Sequence, residues 1–394
     1  MFRYSLLLLL LMTIVFLCLP LAKNKEGAGL VRIDQQGRGT LLAFQGKKKW
    51  PLRCTIRSKK PLSIGTLVKF NEGRLKELRR GFFVLSILDA EVLEKKSIAT
   101  LRARTKDMLQ NYFRRCITQK RTQDLAINLM TGESVSEDLV RLFRHLGLSH
   151  LLVISGFHFM LLTMLGSKVF KIRPWILLLI LTLYFIFLGF SPSVGRAYCG
   201  ILMYLVCHEY GFKIDSLNIW GFSCIISLAF DPYLLFHLGF QLSYAATLGI
   251  LLYFKRIHEK LDALWPTSKF LGFFKPICSI TLAVNIFAFP IIAIQFQTLS
   301  PIGIVYNVIA APLFIVVFLM LVALLPFSFL LPIWEVISEQ FLEFLRNYPV
   351  FLSQPIKLSP FGVGIVCFIS VLSIVYLDSK RLFRLKSSLI RWRS

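Results

Sequence analysis

Apolar and polar positions divide the chain into three kinds of pattern. From residue 150 onward, long apolar stretches alternate with short polar clusters; residues 28–96 carry short alternating runs; residues 98–146 repeat apolar and basic positions at helical spacing. The long stretches fall at 150–167, 174–190, 196–210, 216–230, 236–254, 276–297, 302–326 and 360–377. Each approaches the roughly 20 residues that a helix needs to cross a hydrocarbon layer, so each is predicted to span a membrane. Residues 332–350 differ, because Glu335, Glu339, Glu343 and Arg346 interrupt an otherwise apolar helix. That pattern fits an interfacial or pore-facing helix better than a lipid-exposed span. Residues 4–22 are apolar behind Arg3. Their length predicts a retained N-terminal anchor, and the ending Pro20-Leu21-Ala22 leaves a cleaved signal as the alternative.

The runs GLVRI, GTLLAF, PLRCTI, TLVKF and FFVLSILDAEV are separated by turn-rich segments. Five short strands at this spacing predict a small barrel or sandwich, with an OB-like barrel the natural candidate. Residues 98–146 read as amphipathic helix, with Arg102, Arg104, Lys106, Arg114, Arg115, Lys120 and Arg121 among Leu101, Met108, Leu109, Tyr112 and Phe113. Such a helix lies on a membrane surface or leads a phosphate backbone towards a pore. Ser136-Glu137-Asp138 marks a helix start, and the helix is predicted to run through Leu139, Leu142, Phe143 and Leu146 to Gly147. The predicted organisation is an anchor or signal at 1–22, an OB-like barrel domain at 28–97, a helical linker at 98–148, a transmembrane channel domain at 149–378 and a basic tail at 379–394. The expected fold class is a polytopic α-helical membrane protein with a small N-terminal all-β (OB-like) extracytoplasmic domain.

Composition supports the membrane reading: 56% of residues are hydrophobic and 14% aromatic, more than a soluble chain of this length carries. Charge adds a partner. Lys and Arg number 46 against 21 Asp and Glu, an excess that points to nucleic acid or anionic lipid unless it only sets orientation. Lys168, Lys171 and Arg173 share one loop, and Lys255, Arg256, Lys260, Lys269 and Lys275 another, which places both in the cytoplasm. The basic tail favours the same side, whereas eight spans after the barrel lead it outside, so its side is left open. Between Lys23 and Ser97 there are 18 Lys and Arg against 7 Asp and Glu. Lys47, Lys48, Lys49, Arg53, Arg57, Lys59 and Lys60 crowd together with Phe44 and Trp50. Cations beside aromatics are what single-strand binding needs, which makes Lys47, Lys48, Lys49, Trp50, Arg53, Arg57, Lys59 and Lys60 the candidate DNA-binding residues. The alternative is a solvated basic face over ordinary core aromatics.

Four polar clusters interrupt the apolar stretches. The first is His150-Leu-Leu-Val-Ile-Ser155-Gly156-Phe-His158, ionisable and hydroxyl groups at the head of a predicted span. Such groups face a bundle interior, a partner or water. The second is Ser191-Pro-Ser193-Val-Gly-Arg196, where Pro and Gly around an arginine expose backbone. The third runs from Asp231 through Gly239, Gln241 and Ser243 to Ala246; its polar groups can bond across helices and its small residues let helices approach, so close helix packing is the first reading and substrate contact the second. The fourth spans Asn285 to Pro312 and includes Asn307; broken helices of this kind line translocation paths. Candidate channel-lining residues are therefore His150, Ser155, Gly156, His158, Ser191, Ser193, Arg196, Gln241, Ser243 and Asn307. Ser155 and His158, three residues apart, share a helix face, which leaves a membrane-embedded hydrolase as a weaker alternative. The chain lacks a GxSxG elbow and a GxxxxGK[ST] loop. The eight cysteines form no CxxC and show no zinc spacing. No metal or cofactor is expected, and no enzymatic activity. Cys54 and Cys116 sit where a disulfide is permitted.

Taken in order, GLSHLLVISGFHFMLL, SPSVGRA, DPYLLFHLGFQLSYAATLGI and FPIIAIQFQTLSPIGIVYNVIAAPLF resemble the ComEC family of bacterial competence channels. The resemblance covers about residues 125–377. It implies passage of one DNA strand through the bacterial inner membrane during transformation. Many members carry a metallo-β-lactamase-like nuclease domain, but this sequence has no HxHxDH motif. A separate nuclease and a cytoplasmic ATP-driven DNA-processing protein are therefore expected partners, beside single-stranded DNA and the lipid bilayer. A transporter of another solute on the same scaffold is the other open reading.

Overall fold

The computed structural model describes residues 25–35, 38–44, 47–58, 67–79, 82–87, 91–94, 98–133, 136–152, 156–189, 191–212, 215–264, 269–300, 302–347 and 356–391 of the chain. Two compact units emerge. Unit 1 comprises Met1–Arg115, Met130–Gly132 and Ile154–Gln241; unit 2 comprises Cys116–Leu129, Glu133–Val153 and Leu242–Ser394.

Unit 1 contains the sheet: β1 (Lys25–Gln35), β2 (Arg38–Phe44), β3 (Lys47–Ser58), β4 (Leu67–Arg79), β5 (Phe82–Ile87) and β6 (Glu91–Glu94). The order is β1-β2-β3-β5-β4-β6, β1 also pairs with β4, and β3 and β5 run parallel. The run FFVLSILDAEV thus makes two strands rather than one. Alternation decides the inner face: Val31 with Ile33, Val68 with Phe70, and Phe83 with Leu85 and Ile87 are buried, while Thr55, Arg57 and Lys69 point outward. Phe44 joins this core, fully buried beside Phe70.

The helices of unit 1 are α1 (Ile98–Cys116), whose last residue falls in unit 2, and later in the chain α5 (Gly156–Met164), α6 (Pro174–Leu188), α7 (Pro192–Glu209) and α8 (Ser216–Phe230). Their boundaries follow local chemistry. Pro174 opens α6, and Gly189 closes it at φ +81°, a conformation that favours glycine. Ser191 caps α7 ahead of Pro192, its Oγ accepting from the Val194 amide. Phe159, Leu177, Leu181, Leu188 and Val194 form the shared core of α5, α6 and α7. The Phe185 and Tyr198 rings stack with centroids 4.5 Å apart.

Unit 2 contains α2 (Lys120–Thr131) up to Leu129, α3 (Glu137–His145), α4 (Ser149–Leu152), most of α9 (Leu238–Leu264), α10 (Lys269–Phe296), α11 (Ile302–Leu324), α12 (Leu331–Arg346) and α13 (Pro360–Arg391). The predicted helix start at Ser136 is present. Glu137 and Asp138 occupy the first turn of α3, and Arg144 and His145 the last, matching the helix dipole. Close approach of α9 and α10 depends on Gly249, where a Cβ would run into the Ala283 carbonyl.

Two helical stretches among the described residues are long and apolar enough to cross a membrane, Gly272–Phe296 and Ile302–Leu324; Pro174–Leu188, Ser216–Phe230 and Pro360–Tyr376 are shorter apolar helices. The predicted span at 150–167 holds α4 as far as Leu152 in unit 2 and, beyond residues 153–155, which lie outside the described residues, α5 and a π-helical turn, Leu165–Val169, in unit 1. The predicted span at 236–254 is the first part of α9, which continues through Lys255, Glu259 and Asp262. The N-terminal segment 4–22 and Ser155 lie outside the described residues.

Candidate functional site

The first polar cluster is divided between the units, His150 belonging to unit 2 and Gly156 and His158 to unit 1. In unit 2 the placement of His150 begins with two glycines. Gly147 ends α3 at φ +70° and lies against the start of α11, where a Cβ on it would be 3.1 Å from the Gly303 Cα. A Cβ on Gly303 would likewise be 3.1 Å from the Leu146 carbonyl oxygen. The Ser300 hydroxyl donates to the His145 carbonyl at 3.2 Å and fixes the same corner. One turn beyond Gly303, Asn307 meets His150 at 3.2 Å between Oδ1 and Nε2. Asn307 Nδ2 donates to Thr281 Oγ1 at 2.9 Å, which leaves Oδ1 to face the imidazole. Asn285 adds to the chain by donating to the Thr281 carbonyl at 2.9 Å. His150, Asn307, Thr281 and Asn285 thus form a hydrogen-bonding row across α4, α10 and α11, with the His150 end exposed.

In unit 1 Arg196 projects from α7 onto the first residue of α5. A Cβ at Gly156 would stand 2.8 Å from Arg196 Nη2 and 3.1 Å from the Ala197 Cβ. The guanidinium therefore occupies space that only glycine leaves open. This corner joins Gly156 of α5 to the beginning of α7, and the start of α7 carries positive partial charge. His158, two residues further along α5, is buried. Ser191 serves as the α7 cap, and Ser193 is half-buried in the first turn.

The remaining candidates have local settings. Gln241 Nε2 donates to the Leu235 carbonyl at 2.9 Å, within the turn that precedes its own helix. Ser243 is half-buried on α9, and its carbonyl accepts locally from the Thr247 hydroxyl at 2.9 Å. Asp231 caps the same turn through the Tyr233 amide at 3.1 Å. On β3 the Arg57 side chain is exposed. Lys47, Lys48, Lys49, Trp50 and Arg53 are described in their backbone alone, as part of β3. Lys59 and Lys60 lie outside the described residues. Phe44 is a core side chain, so it offers no surface to a stacked base. Cys54, buried in the sheet, and Cys116 are not joined in a disulfide.

Glu335 was expected at an interface or pore and is instead buried and fully engaged within unit 2. Its carboxylate accepts from the Thr118 amide at 3.1 Å, the Thr118 hydroxyl at 2.7 Å and the Gln119 amide at 2.7 Å. These are donors just ahead of α2, so α12 supplies the cap that α2 lacks in its own sequence. Burial alone would push this carboxyl up, but the bonds from Thr118 and Gln119 outweigh it and hold it below the ordinary glutamate range. Beside it Trp334 donates its indole N–H to the Val317 carbonyl at 2.9 Å.

Sequence reasoning also missed the end of the α9–α10 pair. Lys275 Nζ donates to Asp262 Oδ1 at 2.9 Å, and His258 lies 3.2 Å from the Ser279 hydroxyl and 3.6 Å from Asp262. The Lys275 bond holds the Asp262 carboxyl below its ordinary range. The i,i+4 spacing of His258 and Asp262 was a legible signal; the contribution of Lys275 and Ser279 from the next helix was not. Among the described residues, no three His, Cys, Asp or Glu side chains come together to hold a metal.

Comparison with known proteins places these corners in a family. The Competence protein family model matches residues 129–381, more than half of the chain. The chain is similar to ComE operon protein 3 of Bacillus subtilis (strain 168), 29% identical over 190 residues, covering 46% of this chain and 23% of that protein. It is also similar to an uncharacterized protein of Aquifex aeolicus (strain VF5), 28% identical over 193 residues, covering 47% of this chain and 45% of that one. The match thus spans less than half the length of either relative. No solved structure matches. Both the His150–Asn307 corner and the Arg196–Gly156 corner fall inside the matched region, and the chain belongs to the Competence protein family, the ComEC family.

Proposed function

We propose that this chain is a multi-pass bacterial inner-membrane protein that conducts single-stranded DNA into the cytoplasm during natural transformation. The observation that carries the reading is the Arg196 corner: a guanidinium set against Gly156 of α5, in the first turns of α7. Cation and α7 dipole add there, which suits an anion and above all a phosphate. The His150–Asn307–Thr281 row offers hydrogen bonds and has no Lys, Arg, Asp or Glu in it. A polyanion can slide past such groups without being trapped.

The membrane placement rests on what the helices expose. Only 28% of each of the two long apolar windows is buried. The α6 helix turns Trp175, Leu179, Leu183 and Ile186 outward, and α13 turns out Phe361, Ile365, Phe368 and Leu372. Apolar patches of this extent are rare on proteins in water and ordinary on proteins in lipid. The order β1-β2-β3-β5-β4 with β1–β4 closure supports an OB-like barrel. Its extracytoplasmic surface, including Arg57, would gather the strand. In this reading the chain acts as a conduit, a separate nuclease supplies single strands, and an ATP-driven cytoplasmic protein draws them in.

The test is cytoplasmic entry of fluorescent DNA in a strain lacking the gene and in one carrying Arg196→Ala at normal abundance. Lost entry in the deletion strain with surface binding retained supports the conduit. Arg196→Ala is expected to lower entry at least about tenfold, the weight of one charge-assisted contact. Normal entry in the deletion strain would assign the scaffold to another solute.

A further inference from the structure

Helix α1 presents a second face that the conduit does not use. On one side, Arg102, Lys106, Leu109 and Phe113 follow helical spacing, and Lys106 and Phe113 are buried. The opposite side carries Leu101, Arg104, Met108, Asn111 and Arg115, also at helical spacing. Leu101 is 67% exposed and Met108 73% exposed, and Arg104, Asn111 and Arg115 are exposed around them. Two large aliphatic side chains bracketed by arginines are out of place on a face turned only to water.

The height of this face relative to the helices of unit 1 is also fixed. Gly189, at the C-terminal end of α6, lies against the guanidinium of Arg102, so that a Cβ there would clash with it. A cation at a helix C-terminus is favourable. Because α6 is one of the apolar helices that turn their side chains outward, its end marks a boundary of the apolar layer. Arg102 thus ties the start of α1 to that boundary, one residue from the exposed Leu101.

We propose that the outer face of α1 docks on the anionic lipid surface of the membrane, with Leu101 and Met108 entering the acyl boundary and Arg104 and Arg115 meeting lipid phosphates. The inference rests on the membrane reading above and adds a specific lipid-facing role for α1. Net charge supports it: α1 carries Arg102, Arg104, Lys106, Arg114 and Arg115 against Asp107, and polybasic amphipathic helices bind anionic bilayers through both terms. Nucleic acid fits the face less well. Single-strand surfaces offer aromatic rings to the bases, whereas the outward apolar residues here are aliphatic and Tyr112 packs edge-on against Phe113 with centroids 5.7 Å apart.

The experiment uses the full chain reconstituted in vesicles of phosphatidylcholine alone or mixed with phosphatidylglycerol. An environment-sensitive fluorescent amino acid replaces Met108 in one sample and Leu183 of α6 in another, and quenching by spin-labelled lipid is read. We expect quenching at 183 in both vesicles. At 108 we expect quenching that is strong with phosphatidylglycerol and weak without it. Arg104→Gln and Arg115→Gln should each lower docking about fivefold. Quenching at 183 with none at 108 in either vesicle overturns the docking while leaving the membrane reading intact. Absence of quenching at 183 overturns the membrane reading and the docking with it. Shielding of 108 only when a single-stranded oligonucleotide is added assigns the face to nucleic acid and also overturns the inference.

Discussion

The two units hold charge among apolar helices in different ways. In unit 2, Glu335 is met by two backbone amides and a hydroxyl, and its acceptor capacity is spent on closing the start of α2. In unit 1, the Arg196 guanidinium lies where Gly156 of α5 carries no side chain. The first charge is answered by dipoles of complementary sense. The second lies in the first turns of α7, whose dipole shares its sign. Position among helices, rather than depth or charge alone, separates the charge that builds the fold from the one proposed to meet an anionic cargo.

That contrast can be broken at several points. The largest effect is expected at Glu335. Glu335→Ala leaves the Thr118 and Gln119 amides without their acceptor and should lower stability by about 3 kcal/mol, read as thermal unfolding of the detergent-solubilised protein. Glu335→Gln should lose less, because one acceptor oxygen is kept. The pH dependence has a fixed sign. Because the folded carboxyl lies below its ordinary range, its contribution is complete above that range and is lost as pH falls through the lowered value. A wild-type midpoint that drops on acidification no more than that of Glu335→Gln would remove Glu335 from the account.

Next comes Gly249→Ala, where the obstacle is the Ala283 carbonyl, so that backbone must move and α9 and α10 must part. A loss near the upper end of about 1–3 kcal/mol is expected in the same measurement. Gly156→Ala meets the flexible end of an arginine instead. It should lie near the lower end of about 1–3 kcal/mol and yet reduce DNA entry as Arg196→Ala does. If Gly156→Ala unfolds the protein while Arg196→Ala leaves entry untouched, the corner is architecture and the contrast collapses.

The smallest effect is expected at the exposed pair. A double-mutant cycle on His150→Ala and Asn307→Ala should give a coupling of about 0.5–1.5 kcal/mol. A coupling of zero would mean that the two side chains act separately.

Some of this was legible in the sequence and some was not, for identifiable reasons. The α3 helix could be read because its start, its charged ends and its closing glycine are all local. For Phe44 the sequence left base stacking and a place in the core both open, and the structure puts it in the core. It lies three positions from Leu41, which in a regular strand puts it on the opposite face, but the pairing register shifts between Leu41 and Ala43 and turns both inward. Glu335 on an apolar helix looks interfacial until Thr118 is beside it, and nothing near 335 announces residue 118. His150 and Asn307 were both singled out as polar groups in apolar surroundings. Their meeting depends on the Gly147–Gly303 contact, and Thr281, which completes the row, is one unremarked threonine in a long helix. Polar groups can be found one at a time from local contrast; their assembly needs the tertiary structure.

The Glu335 bond has a consequence in time. Thr118 and Glu335 are separated by 217 positions, which at about 5–20 residues per second takes about 10–40 s to synthesise. Throughout that interval the start of α2 has been made and its closing carboxylate has not. The turn at Thr118 is therefore among the last places in the chain to settle, and a nascent chain released before residue 335 emerges leaves it open.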